Sequence, residues 1–139
     1  MSPEKIIAIV GGVVVGLTML VIVIRVTMKR TPIKFKKEKY KKQWVQLQAY
    51  CKEEKTWPEA LVSADQLLDK ALKKRNFKGR EMGERLVAAQ REFKDNDGVW
   101  YGHKLAKKVE ENPDYKITKT NVKDALLGIG QALKDLGAL

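Results

Sequence analysis

Residues Ile6–Ile24 read IIAIVGGVVVGLTMLVIVI, a run apolar on every side with Thr18 as its single polar residue. As a helix these positions rise ~28 Å, about the thickness of a bilayer's hydrocarbon core. The stretch therefore predicts a transmembrane helix. A cleaved signal peptide would show a basic start, an apolar run of about 7–15 residues and a small-residue cleavage site. Here Glu4 and Lys5 cancel, the run is longer, and Arg25 and Lys29-Arg30 follow it. The span is read as retained. Ala8, Gly12 and Gly16 recur at every fourth residue, a small-residue face on which a second helix can pack closely. The partner expected there is a second copy of the chain or another membrane protein.

Charge gives the span a direction. The 139-residue chain carries a net +11, and residues 25–42 hold most of it. Arg25, Lys29, Arg30, Lys34, Lys36, Lys37, Lys39, Lys41 and Lys42 stand there against Glu38 alone. Basic residues close to a span stay on the cytoplasmic side, so the N-terminus is expected outside and the C-terminal domain in the cytoplasm. The same nine residues are candidates for contact with anionic lipid headgroups. Because the span accounts for the basic cluster, nucleic acid is the less favoured partner.

The chemistry-bearing motifs are few. Cys51 is the sole cysteine and His103 the sole histidine, so no intramolecular disulfide can form and a zinc site lacks its usual ligands. No GxxxxGK[ST], GxSxG or GxGxxG motif occurs. Asp95-Asn96-Asp97-Gly98 reads as a loop, and a calcium loop starting at Asp95 would need Glu where Ala106 stands. No catalytic residue, metal or cofactor is expected.

Downstream of the span the apolar spacing is helical throughout. A basic linker at 29–42, interrupted at Thr31-Pro32, leads into a bundle at 43–139, with residues 1–28 forming the N-terminus and span. Phe35 and Tyr40 among the lysines suit a headgroup layer, with core packing equally open to Tyr40. Tyr40, Trp44, Leu47 and Cys51 mark a first helix from about Phe35 to Glu54. Thr56 and Glu59 suggest a capping box ahead of a second helix whose core stripe is Ala60, Leu61, Ala64, Leu67, Leu68, Ala71 and Leu72. A third helix runs from about Glu81 to Phe93 and a fourth from Val99 to Glu111. Thr118 caps a last one, buried through Val122, Ala125, Leu126, Ile129, Leu133 and Leu136, where Gly128 and Gly130 suggest a close helix crossing. The expected fold is all-α: one N-terminal transmembrane helix, then a small four- or five-helix bundle.

The segments ALVSADQLLDKALKKRNFKGREMGERL and VWYGHKLAKKVEENPDYKITKTNVKDALLGIGQALKDLGAL resemble small single-span proteins of reduced-genome bacteria of the candidate phyla radiation, over roughly residues 44–139. In such relatives the fourth helix tends to read His-Lys-x-Arg-Asn-x-x-x-x-His, similar to the Arg-x4-His element of HEPN-type helical domains, many of them metal-independent ribonucleases that dimerise. His103, Lys104 and Leu105 match its start. The arginine position is Ala106, the asparagine position Lys107 and the histidine position Glu111. Metal-free RNA cleavage needs a proton shuttle and a cation for the developing charge, so the resemblance implies a HEPN-like domain without that constellation.

The reading that results is a non-enzymatic interaction or scaffold module, anchored in a bacterial cytoplasmic membrane and facing the cytoplasm. One alternative is a HEPN-like RNA-binding or weakly ribonucleolytic domain, with Lys104, Lys107, Lys108, Lys116 and Lys119 as its basic face. Another is an accessory subunit of a larger membrane complex.

Overall fold

A computed structural model describes residues 2–27 and 35–139. Among them it has six α-helices and no strand, and they fall into two units, the first helix and the domain that follows. The all-α expectation holds.

Helix α1 covers Pro3–Thr27. Over Pro3–Arg25 it is long and apolar enough to cross a membrane, and among the described residues none of it is buried. Thr18 Oγ1 donates to the Val15 carbonyl at 2.8 Å, so the one polar side chain within Ile6–Ile24 is satisfied within the helix, as lipid requires.

The domain is built on α3 (Trp57–Lys74), whose seven expected stripe residues are all buried. Around it lie α2 (Lys37–Ala49), α4 (Met82–Ala88), α5 (Asn96–Glu111) and α6 (Lys119–Asp135). Leu61, Leu68, Leu72, Leu86, Ile129 and Leu133 are fully enclosed. Two turns close in the same way. Phe77 N–H reaches the Leu72 carbonyl at 3.1 Å and Asn76 N–H that of Lys73 at 2.9 Å, with Asn76 at φ +59°. Ala138 and Gly137 repeat the pattern at 2.9 Å on Leu133 and Lys134, with Gly137 at φ +83°. Both are helix ends whose left-handed residue satisfies the last carbonyls.

The expected close crossing lies between α5 and α6. A Cβ on Gly128 would collide with the Gly98 backbone, and one on Gly102 would lie 2.7 Å from Ile129. Thr118 caps α6 through a capping box with Asn121.

Five expectations are corrected. Phe35 is not a headgroup anchor: it is 7 % exposed and meets Tyr40 edge-on at 5.3 Å within the core. The first helix is shorter than Phe35–Glu54, starting at Lys37 inside the stretch assigned to the linker and giving way to 3-10 turns at Tyr50–Lys52 and Glu54–Thr56. Those turns also undo the Thr56 box. Thr56 (φ −104°, ψ 4°) lacks the extended geometry of a cap, and its hydroxyl donates back to the Tyr50 and Glu53 carbonyls at 2.6 and 3.1 Å. The third helix is the short α4, ending before the buried Ala89 and Phe93. Finally, Asp95–Gly98 is a helix start, with Asp95 Oδ1 accepting from Gly98 N–H at 2.9 Å.

Candidate functional site

The sole histidine sits in a cleft between α3, α4 and α5. Asp65 and Asp69 are four residues apart on α3, hence on one helical face, and His103 projects from α5 towards them. His103 Nδ1 lies 3.1 and 3.0 Å from the two Asp65 oxygens, and both side chains are only 13 % exposed. An ionised carboxylate accepts only, so against it the neutral imidazole carries its proton on Nδ1 and its lone pair on Nε2. Burial pushes the Asp65 carboxyl above the usual range; the hydrogen bond and positive charge of His103 act against that, and Asp69 and Glu110 add to it.

Beside this pair is a second one. Arg85, 7 % exposed, grips Asp69 with two bonds, Nε to Oδ1 at 2.7 Å and Nη2 to Oδ2 at 3.0 Å, and its Nη1 donates to the Gly79 carbonyl at 2.8 Å. Lys73 reaches the same carboxylate at 3.3 Å. Trp100 meets His103 edge-on with centroids 6.0 Å apart, and the Lys104 ammonium lies 5.9 Å from the indole centroid. The cleft measures about 480 Å³, and its walls include Gln66, Met82, Lys107 and Glu110.

A carboxylate-backed imidazole can hold or pass a proton at Nε2, which has no partner among the described residues. No Ser, Thr or Cys lines the cleft, so it offers no side chain for a covalent intermediate of the hydroxyl or thiol kind. Among the described residues no group of three or more His, Cys, Asp or Glu is placed to hold a metal ion.

The positions singled out in the sequence do not converge here. His103 and Lys107 share the cleft. Ala106 points the other way, 1 % exposed among Leu61, Val109, Val122 and Ala125. Lys107 and Glu111 form a solvent-facing pair at 4.0 Å. Of the basic candidates, Lys104 and Lys107 line the cleft, Lys108 lies 4.7 Å over Tyr115, and Lys119 borders a separate recess. In α1, Ala8, Gly12 and Gly16 are exposed, and a Cβ on either glycine would meet nothing within 4 Å. Arg25, Lys36, Lys37, Lys39, Lys41 and Lys42 are exposed; Lys29, Arg30 and Lys34 lie outside the described residues.

Sequence reasoning missed Asp65, Asp69 and Arg85. The one available signal was the Asp65/Asp69 spacing on the polar side of α3; nothing local ties either to residues 38 and 16 positions away.

No protein-family model, curated protein or solved structure matches the chain.

Proposed function

We propose that the chain is a membrane-anchored, non-enzymatic interaction module, single-pass, with its helical domain on the cytoplasmic face of a bacterial membrane. The observation that carries this reading is α1, apolar on every side over Ile6–Ile24 and unburied among the described residues over Pro3–Arg25, in a chain whose domain encloses its own core. Uncovered apolar surface of that extent calls for lipid or a protein partner. The exposed lysines of α2 support cytoplasmic orientation and contact with anionic headgroups. The Ala8, Gly12, Gly16 face supports self-association or attachment to another membrane protein.

The test is alkaline extraction combined with thiol labelling of the full chain carrying Cys51→Ala and Ser2→Cys. Retention in the membrane pellet and labelling of residue 2 from outside intact cells are expected. Release by alkali, or labelling only after permeabilisation, overturns the reading. Gly12→Ile separates the two roles of the span: it leaves insertion unchanged and abolishes crosslinked dimer.

A second reading is favoured by the Asp65–His103 pair with Lys104 and Lys107 at the same cleft: an RNA-directed domain of HEPN-like type. The full chain in nanodiscs should then retain or cleave RNA at low salt, with loss on His103→Asn. Failure to do either removes it.

A further inference from the structure

Helices α2 and α6 both pack on α3, and a groove of about 280 Å³ runs between them. Its floor is apolar, formed by Trp44, Trp57, Val122 and Leu126. Trp44 lies over α6 where Gly130 leaves room, since a Cβ there would sit 2.9 Å from the indole ring. Trp57 spends its indole N–H on the Cys51 carbonyl at 2.9 Å. Trp57 is therefore held in place and has no donor left for a polar ligand.

The rim is different. Lys119, Lys123 and Leu127 recur at every fourth residue, spanning ~12 Å of α6, and all three are exposed, Leu127 by 61 %. Neither lysine has an ion-pair partner among the described residues. On α2, Lys37 and Lys41 stand on the same helical face as the groove residues Trp44 and Gln48, at spacings of four, three and four. The lysine-rich start of α2 thus leads into the groove.

An occupant must bring hydrocarbon for the floor and negative charge for the rim. A groove of that volume takes only side chains of a partner helix, whose body is ~10 Å across. Its helical walls present no open backbone ladder on which an extended peptide could add a strand. A single hydrocarbon chain bearing an anionic head meets both demands. We propose that this groove takes an acyl segment of an anionic phospholipid, with Lys119 and Lys123 on the headgroup phosphate. The proposal rests on the membrane-anchored reading and names the lipid contact that reading leaves open.

The experiment uses the full chain with Trp100→Phe, so that Trp44 and Trp57 are the remaining tryptophans, in nanodiscs of phosphatidylcholine with or without brominated phosphatidylglycerol. Bromines on the acyl chain quench indoles they touch. Marked quenching is expected with the anionic brominated lipid, falling to the level of non-brominated discs in Lys119→Gln/Lys123→Gln and in Leu127→Glu. These positions are exposed, so folding is retained, and unchanged circular dichroism verifies it. Quenching that survives the double lysine substitution overturns the groove while leaving membrane anchoring intact. Equal quenching by brominated phosphatidylcholine overturns the anionic specificity. Crosslinking of residue 127 between two copies, with no quenching, assigns the groove to a second chain and also overturns it. A chain that fails to insert into nanodiscs at all removes the anchoring reading and the groove with it.

Discussion

Two recesses of the domain treat charge in opposite ways. In the cleft between α3, α4 and α5, Asp65, Asp69, His103 and Arg85 are largely withdrawn from water and joined into pairs. In the groove between α2 and α6, Lys119 and Lys123 stand in solvent with no ion-pair partner among the described residues, beside an exposed leucine. A buried charge must be paired because desolvation costs far more than an exposed charge ever gains. An exposed and unpaired one costs the fold nothing, and is left to what arrives from outside. Removing one partner in the cleft therefore costs the domain stability, whereas the groove is open to recognition.

Substitutions can break that contrast. The largest effect is expected from Arg85→Ala, which removes both guanidinium bonds from the largely buried Asp69 carboxylate and leaves it only the exposed Lys73. A loss of about 3 kcal/mol or more should appear in chemical denaturation of the full chain in mild detergent, and a loss below about 1 kcal/mol would make the cleft no different from a surface pair. His103→Ala comes next at about 2 kcal/mol near neutral pH, because Asp65 stays buried with no donor. Its cost should shrink in acid, where Asp65 takes up a proton instead.

Asp65→Asn gives a smaller, pH-dependent effect. Folding raises the Asp65 carboxyl above its ordinary value, so the stability tied to its protonated form is present below about pH 4 and lost as pH rises through the raised value. Asparagine does not titrate. Melting temperatures measured from pH 4 to 7 should show the variant gaining on the parent chain as pH rises, and parallel curves would refute the assignment. The smallest effect belongs to the groove, where Lys119→Gln/Lys123→Gln should shift stability by no more than about 0.5 kcal/mol. A larger change would mean that these lysines hold the fold together.

The same division explains what the sequence could reveal. Periodic burial is local information, and α3 shows it most clearly: all seven stripe residues, from Ala60 to Leu72, are buried. Gly128 was legible as a crossing point because a glycine inside a helix needs a reason, here the backbone of Gly98. Chain ends and pairings were harder. Asp95–Gly98 has loop composition, yet the same Asp supplies the cap that starts α5. Thr56 has the residue type of a cap, but two tight turns give it other carbonyls to serve. Of the candidate site, His103 was visible as the lone histidine, while Asp65 was one polar residue among several on α3. Only tertiary packing joins them across 38 positions.

The grip of Arg85 on Asp69 also has a consequence for motion. Helix α4 has seven residues, too few to persist alone in water, and its polar tie to α3 is this one guanidinium, aided by buried Leu86. The backbone amides of α4 should therefore exchange with solvent earlier than those of α3, α5 and α6, while the segment after it stays tied down by buried Ala89 and Phe93, the Glu92–Arg75 pair at 3.5 Å and the Lys94 N–H on Asp135 at 2.9 Å.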